Sequence, residues 1–585
     1  MKRRSTLSLA ACAVLAGVSL AACGNSSTSS PSGTTGNETF NAGNTRVVNP
    51  SRHAGGTLHL AMSATPDSFD PGNTYYAEVW NLTRLWATPL VTYKSCPGAC
   101  GLRIVPGLAT TLGQPSANGL IWTYHLKHGV TFEDGAPVTA QDVKYAVERT
   151  YDRSVLTNGP SYFPVLLQDP AYAGPYQDRA KNLMGLTSVT TPDNYTIQFH
   201  LQKPFPDFNY VAAIPQTAPV PPGKDTGSGY QLHPLSTGPY MFQSYQLNKQ
   251  AVLVRNPRWK PYYDTEAKQL ASKIVINVGV NPNDIDSRLM AGALDIDATG
   301  IGVQPAARAK ILTSPSLKKN ADDAITGFLS FAYLNTEVAP LNNVACRRAV
   351  EYAANKMDQQ TAYGGPLAGA IASTVMPPNI IGYQKFDLYE ATTKPAGDLA
   401  NAKQELAACG HPDGFTTGVA YRSNRPKEVQ AAQDLQTALS RVGINLQLHG
   451  YPADAYYTDF AGTPGYVHHH GLGVDFGEWA SDWPDGYGFL DEISNGNAIA
   501  SSGNTNIAEL NDPAVNNMFA QANKPTLSQG ARTAIWPQID KQVMSDAAIL
   551  PEVYAKTLLY RNPDVTNAYV QAYYGMYNYA VLGLK

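Results

Sequence analysis

The sequence has little charge, no excess of basic residues and no long hydrophobic run. Charged residues make up 15% of its 585 positions, and the formal net charge is −3. Without a basic field, nothing in the composition favours nucleic-acid binding. The apolar stretch at 6–20 is too short to cross a bilayer comfortably. The apolar fraction of 43% is that of a soluble globular protein, and a chain of this length is expected to form two or three domains.

Enzyme motifs are absent as well. The chain contains no H-E-x-x-H, G-x-S-x-G or P-loop motif. Ser316 and Lys319 have S-x-x-K spacing, but the S-D-N and K-T-G partners that would give this spacing a meaning are missing. Carboxylate pairs such as Asp475 and Glu478 are too common to indicate a glycosidase. A secreted hydrolase is therefore the least favoured class, and we predict no cofactor.

The three consecutive histidines His468–His470 are the obvious candidates for a metal site. Neighbouring side chains on a strand point to opposite faces, so three in a row cannot all reach one ion. We interpret the triplet as a solvated loop feature or a weak metal binder. No dedicated metal site is predicted.

The N-terminus has the pattern of an export signal. Met1–Arg4 is basic, the apolar stretch follows, and Leu20-Ala21-Ala22-Cys23 resembles the lipobox of bacterial lipoproteins. The resemblance implies that residues 1–22 are removed and that Cys23 is diacylated, with a plain secretory peptide as the alternative. Two acyl chains are enough for stable membrane anchoring. Loss of three basic residues changes the formal charge to −3 − 3 = −6.

Four cysteines remain after the signal and the lipidation site: Cys96, Cys100, Cys346 and Cys409. An exported protein folds in an oxidising compartment, so two disulfides are expected. Cys96 and Cys100 should close a small loop, which leaves Cys346 to pair with Cys409. A zinc site at Cys96 and Cys100 is disfavoured because no second pair of ligands is evident.

Periodicity predicts a mixed α/β body. Strands are expected at 57–62 and 121–126, where apolar residues alternate with polar ones. Thr139 and Asp142 have capping-box spacing ahead of a helix. From about 326 onward, helical and strand patterns alternate, as in a βα-type lobe.

Several segments are predicted to be irregular or to contribute packing. Residues 24–52 contain Asn, Ser, Thr, Gly and Pro with almost no core formers, so they are expected to form a disordered tether. Residues 63–76 and 152–185 are predicted to be loops. The tyrosines between Tyr569 and Tyr579 are interpreted as packing residues.

The stretch Gly477–Leu490 combines one carboxylate with aromatic residues. Trp479 and Trp483 flank Asp482, and Pro484 then turns the chain. The carboxylate can pair with an ammonium group, and indole faces add cation–π attraction of about 1–2 kcal/mol when desolvated. Taken alone, the stretch is more simply explained as an ordinary turn with two buried tryptophans.

Four sequence blocks identify a family. Trp122–Val143, Thr237–Tyr240, Arg255–Trp259 and Gly477–Leu490 occur in this order behind the lipobox. Together they resemble the extracellular solute-binding lipoproteins of peptide ABC transporters, the oligopeptide- and dipeptide-binding proteins, over residues 55–585. The resemblance implies a mixed α/β, periplasmic-binding-protein-like fold with two hinged lobes and an extra subdomain in the first lobe.

The resemblance also implies a domain layout. Its parts are a signal peptide at 1–22, the lipidated Cys23 and tether at 23–52, a first lobe at 53–325 with the inserted subdomain at about 91–195, a second lobe at 326–554, and a return to the first lobe at 555–585.

The implied function is capture of a peptide-like solute between the lobes and its delivery to an ABC permease. Peptide binders of this family hold the ligand's α-amino group with an acid in a Trp-x-x-Asp-Tyr/Trp segment, here Asp482 between Trp479 and Trp483. An arginine on the second lobe often meets the ligand's carboxylate; Arg422 and Arg425 are candidates, although a solvated loop arginine explains each equally well. The protein is expected to be a monomer anchored on the extracytoplasmic face of the membrane. The alternative ligands are an oligosaccharide, a nickel chelate or haem.

Overall fold

The structure, a computed structural model, describes residues 39–169, 171–177, 185–453 and 455–585. Its strands, in chain order, are β1 Thr57–Ala61, β2 Val91–Tyr93, β3 Ile104–Pro106, β4 Gln114–Pro115, β5 Ile121–His125, β6 Val189–Asp193, β7 Thr196–His200, β8 Tyr240–Gln246, β9 Gln250–Arg255, β10 Lys273–Asn277, β11 Ile296–Asp297, β12 Ala321–Leu334, β13 Gly369–Ile371, β14 Thr416–Arg422, β15 Asn445–Tyr451, β16 Leu472–Trp479, β17 Ile549–Tyr560, β18 Val565–Thr566, β19 Val570–Gln571, β20 Met576–Tyr577 and β21 Gly583–Leu584.

The α-helices are α1 Ala42–Thr45, α2 Ala77–Thr83, α3 Ala140–Arg149, α4 Tyr162–Leu166, α5 Phe208–Val211, α6 Pro282–Met290, α7 Pro305–Thr313, α8 Pro315–Lys318, α9 Val344–Ala353, α10 Lys356–Ala362, α11 Leu399–Ala408, α12 Pro426–Ser440, α13 Pro464–His470, α14 Gly486–Ser494, α15 Pro513–Ala522, α16 Gln529–Thr533 and α17 Trp536–Ser545. None of the helices in the described ranges is long and apolar enough to span a membrane. The predicted signal peptide at 1–22 and Cys23 lie outside the described residues.

Alternating apolar residues build a five-stranded sheet in the order β11-β1-β10-β9-β8. β1 pairs in parallel with β10 and β11, whereas β10, β9 and β8 pair antiparallel. Leu58 and Leu60 of β1 are buried in a core that also contains Trp86. The strand predicted at 57–62 is confirmed and ends at Ala61.

An antiparallel four-stranded sheet, β4-β5-β7-β6, occupies the part of the chain where the inserted subdomain is predicted. Helix α3 contacts β6 and β7. Its N-terminus carries the predicted capping box. The side chains of Thr139 and Asp142 each accept a hydrogen bond from the backbone amide of the other residue. The core of this region is aromatic, with Trp122, Tyr124 and Phe199 buried.

A six-stranded sheet in the order β13-β17-β12-β16-β14-β15 contains the two longest strands, β12 and β17. These strands pair with each other and connect two cores. Ala324 of β12 and Leu559 of β17 pack in the core of the five-stranded sheet. Leu329 and Tyr554, further along the same strands, pack under the six-stranded sheet. Chain crossings of this kind are what the resemblance implies; the lobe boundaries themselves stay a prediction.

The predicted disordered tether is wrong for residues 39–52, which fold against the body. The Gly43 amide donates to Asp322 Oδ1 at 2.7 Å, and Val48 is buried and forms a backbone bridge with Ala568. A Cβ on Gly43 would lie 2.7 Å from the Asp322 carboxylate, so a glycine is needed at this contact. Composition did not reveal that this segment is folded, because its backbone groups are satisfied by partners far away in the chain.

A short helix, α4, lies in the described part of the loop predicted at 152–185. Phe163 anchors this helix by packing against Phe199 and Phe208. Five residues are too few to show a helical period in sequence. The helix matters because it positions Tyr162 beside the candidate site.

Both predicted disulfides are present. Cys96 pairs with Cys100, with their Cα atoms 5.7 Å apart. Cys346 on α9 pairs with Cys409 at the end of α11, with a Cα separation of 5.4 Å. The second bridge joins two helices that pack together, as expected from the helical patterns of both segments.

Loss of the Cys346–Cys409 bridge is expected to cost about 4 kcal/mol of unfolding free energy, against about 2 kcal/mol for Cys96–Cys100. The difference follows from loop length, because the bridges span 63 and 4 residues and a longer loop restricts the unfolded chain more. Urea denaturation of the two double-alanine variants measures both costs. A larger loss from opening the short loop would contradict this expectation.

Candidate functional site

The segment after β16 contains one carboxylate, Asp482, just beyond the point where strand pairing ends. The antiparallel pairing of β12 with β16 ends at Leu329 and Trp479, and Ala480–Asp482 continue beyond the last pair. The next helix, α14, begins at Gly486 and is capped by Asp485, whose side chain accepts the Tyr487 amide. Asp482 is thus held between a strand end and a helix start.

Asp482 is contacted by three tyrosines from distant parts of the chain. The hydroxyl of Tyr75 donates to Asp482 Oδ2 at 2.5 Å, and that of Tyr162 donates to the same oxygen. Tyr573 donates to the Asp482 carbonyl at 2.6 Å. Among the described residues no donor reaches Asp482 Oδ1. Burial raises the pKa of Asp482 above its usual 3.8, although the hydroxyls of Tyr162 and Tyr75 oppose the rise.

Asp482 lines a cavity of about 460 Å³. Its wall consists of Tyr75, Tyr76, Ala77, Glu78, Trp80, Gly300, Thr326, Phe328, Ala480, Ser481, Asp482, Tyr573, Tyr574, Gly575 and Met576. We call it the acidic cavity, because Glu78 and Asp482 are acids and no described lysine, arginine or histidine lines it. The remaining wall is largely aromatic.

The two tryptophans predicted to flank a ligand lie elsewhere. Trp479 donates its indole N–H to the Phe489 carbonyl at 2.9 Å and packs against the core under the six-stranded sheet. Trp483 is 5% exposed and donates to Asp207 Oδ2 at 2.8 Å. Neither indole lines the acidic cavity. A ligand role for these two residues stays a prediction, and the structure gives each a packing role.

The aromatic wall comes from residues that sequence reasoning assigned to loops or to packing. Tyr75 lies in the loop predicted at 63–76, and Tyr573 and Tyr574 belong to the C-terminal tyrosines. The sequence signal for an aromatic cavity was the high tyrosine content, 34 residues. Composition does not indicate which tyrosines lie close together in the fold.

A second cavity, of about 640 Å³, shares Thr326 with the first. We call it the basic cavity, because the charged residues of its wall are Arg308, Arg422, Arg425, Lys427 and Lys556 against Glu428 and Glu478. Five cations against two acids leave an excess of positive charge. Both predicted arginines therefore line a cavity, but not the one that contains Asp482.

The two arginines have different surroundings. Arg422 is buried and forms an ion pair with Glu428 at 2.5 Å. The side chain of Arg425 is 48% exposed and lies 3.0 Å from Glu478. Arg425 is thus the more accessible of the two to a bound anion, whereas Arg422 is already neutralised.

The histidine triplet forms the end of α13 rather than a loop. His468 Nε2 lies 2.8 Å from Glu509 Oε1, and His470 Nδ1 lies 3.0 Å from the Tyr466 carbonyl. No group of three metal-binding side chains occurs in the described ranges.

This architecture is that of the two-lobed periplasmic binding proteins, a mixed α/β fold with an extra subdomain in the first lobe. The solved structure of the clavulanic acid biosynthesis oligopeptide binding protein 2 is 39% identical, with a TM-score of 0.85, and the match covers 94% of this chain and 98% of that one. The unliganded open form of the murein tripeptide binding protein MppA has a TM-score of 0.74 at 20% identity, covering 92% and 98%. The second likeness supports the fold alone.

The chain belongs to family 5 of the bacterial extracellular solute-binding proteins. The model of this family, described as its middle part, matches residues 103–501, more than half of the chain. The probable D,D-dipeptide-binding periplasmic protein DdpA of Escherichia coli is 27% identical over 84% of this chain and 87% of that protein. Heme-binding protein A of Haemophilus influenzae is 25% identical over 98% of both. These relatives bind solutes and are not enzymes, so the chain is a solute-binding protein of the peptide ABC transporter type.

Proposed function

We propose that this protein captures a peptide-like solute between its lobes and delivers it to an ABC transporter permease. Family membership supports solute binding and the transporter context. The finer parts of the proposal are the peptide-like ligand, the role of Asp482 and the hand-over to a permease.

The observation that carries the proposal is the free oxygen of Asp482 in a cavity without a described cation. Oδ2 accepts two tyrosine hydroxyls, which orient the carboxylate and leave Oδ1 for a ligand donor. An ammonium group satisfies both the hydrogen bond and the charge. The α-amino group of a peptide is the proposed partner.

The opposite charge of the two cavities fits a zwitterionic ligand. A solute with its ammonium group at Asp482 extends past Thr326 toward the basic cavity. Arg425 and Lys427 are the cations proposed for its carboxylate, because Arg422 is held by Glu428. Lys427 forms no ion pair within the described part of the chain. Electrostatic complementarity of this kind favours one ligand orientation.

The backbone near Asp482 supports binding of an extended chain. Ala480 and Ser481 follow the last ladder pair of β16 and line the acidic cavity. A peptide placed there continues the sheet by main-chain hydrogen bonds, which recognise any sequence. Thr326 and Phe328 lie on the facing strand, where the register of β12 against β17 shifts between Ile325 and Leu329.

Membrane anchoring through Cys23 is part of the proposal. A diacylated Cys23 would hold the protein, as a monomer, at the extracytoplasmic face of the cell membrane. Residues 39–52 pack on the body, and the rest of the predicted tether lies outside the described residues.

A non-peptide solute is the second candidate. The similarity to heme-binding protein A across 98% of both chains is the observation that favours it. A neutral oligosaccharide would donate hydroxyl groups to Glu78 and Asp482 but would supply no counter-charge for them.

Mass spectrometry of small molecules released from the purified protein tests the proposal. We expect an intact peptide-like molecule with a free amino group, recovered unchanged after binding. A neutral sugar, a haem or a nickel chelate in its place would contradict peptide binding. Cleavage products of an added peptide would contradict the assignment as a binding protein.

A further inference from the structure

Glu78 is a second carboxylate in the acidic cavity with no partner assigned to it. It lies in the first turn of α2 and is partly buried. None of the described lysine, arginine or histidine side chains forms an ion pair with it. Burial raises its pKa to about 7, and the nearby Asp67 and Asp297 add to the rise. A position in the first helical turn is worth about 0.3–1 kcal/mol through the helix dipole, but it does not account for a carboxylate at the wall of a cavity.

The walls around Glu78 are suited to a cation. Tyr75, Tyr76 and Phe328 are 44%, 46% and 44% exposed, unusually high values for large aromatic side chains that line one cavity. The faces of such rings attract cations, most strongly when water is excluded. Tyr574 provides an independent observation, since it is 8% exposed and lines the cavity. Its hydroxyl has no hydrogen-bond partner among the described residues.

Charge balance decides between one and two positive charges on the ligand. A ligand with only an α-ammonium group compensates Asp482 and leaves Glu78, on the wall of the same cavity, without a counter-charge. A partly buried, unpaired carboxylate is costly to keep ionised. A ligand with two positive charges compensates both acids and offers the Tyr574 hydroxyl a hydrogen-bonding group.

We propose that the acidic cavity selects peptides whose first residue has a cationic side chain, lysine- or arginine-like, with Glu78 as the residue that pairs with it. This inference rests on the proposed function, because it takes the α-amino group to lie at Asp482. Glu78 is then a specificity residue. It makes affinity depend on the first side chain of peptides that main-chain contacts alone would bind equally well.

Calorimetry with matched tripeptides tests the inference on the purified protein. Lys-Ala-Ala and norleucine-Ala-Ala have nearly the same shape and differ by one charge. We expect the lysine peptide to bind at least about tenfold more tightly, since a partly desolvated charge pair is worth at least about 1.4 kcal/mol. Glu78→Gln should remove this preference, so that the variant binds the two peptides with similar affinity. Glu337→Gln, an exposed acid outside both cavities, is the matched control and should keep the preference.

The outcomes separate this inference from the proposed function. Equal affinity of the two peptides for the unmodified protein overturns the role of Glu78 and leaves peptide binding intact, and this comparison does not depend on how the variant folds. A preference that survives in Glu78→Gln also overturns it. Failure of both peptides to bind overturns peptide binding and the inference with it. Cadaverine, which has two ammonium groups and no peptide bond, is the third probe; affinity equal to that of Lys-Ala-Ala would place the selection on diamines instead of peptides.

Discussion

Replacing Asp482 with alanine should weaken binding of a peptide that has a free α-amino group by about 3–5 kcal/mol. The mutation removes the carboxylate oxygen Oδ1 that the tyrosine hydroxyls leave open, so an enclosed ammonium loses its partner. Isothermal titration of wild type and variant with one peptide measures the difference.

Two controls separate charge from shape. Asp482→Asn keeps the size of the side chain and an oxygen that can accept the tyrosine hydroxyls, and it should lose most of the same affinity because the charge is gone. An N-acetylated peptide has no ammonium group, so wild type and both variants should bind it with similar affinity. If wild type and Asp482→Ala bind the free-amino peptide equally well, the role of Asp482 is wrong.

Replacing Arg532 with methionine should lower the unfolding free energy by about 3–5 kcal/mol. Arg532 Nη2 lies 2.5 Å from Asp207 Oδ1, and the two side chains are 2% and 1% exposed. Removing the cation leaves a buried carboxylate without compensation. The mutation affects Asp485 as well. Burial and the nearby Asp207 raise the pKa of Asp485 to about 8, and Arg532 opposes this rise.

An exposed ion pair gives the matched control. Arg288 and Asp284 are 3.7 Å apart on one helix face with both side chains solvated, so Arg288→Gln should change the unfolding free energy by less than about 1 kcal/mol. Urea denaturation of the two variants compares the costs directly. The double variant Asp207→Asn with Arg532→Met should regain part of the loss, because it removes the unpaired charge. A loss from Arg532→Met no larger than that of the control would show that the buried pair contributes little.

Local structural features were predictable from the sequence, whereas contacts between residues distant in the chain were not. The capping box of Thr139 and Asp142 depends on residues three apart, and the strand at 57–62 on a period of two, so short windows reveal both. The disulfides followed from the number of cysteines and their compartment. The crossing near 325 came from family resemblance, because a chain crossing has no pattern of its own.

The surroundings of Asp482 show where prediction stops. Tyr75 and Tyr162 lie 407 and 320 positions away from it in the chain. No periodicity or spacing links residues so far apart. The flanking tryptophans looked like cavity walls because they are adjacent in sequence, yet Trp483 turns away to meet Asp207. Asp482 and Trp483 lie in a bend between β16 and α14, so no strand period predicts which of the two faces the cavity and which faces the core.

The different contacts of Asp482 and Trp483 have a consequence for how long a solute stays bound. Opening a cleft by separating residues 481–485 from the first 325 residues must break the Trp483–Asp207 hydrogen bond together with the tyrosine contacts of Asp482. The same opening breaks the Arg532–Asp207 pair. If the proposed lobes open in this way, contacts that hold them together slow the opening. We therefore expect Asp207, which lines neither the acidic nor the basic cavity, to lengthen the residence time of a bound solute.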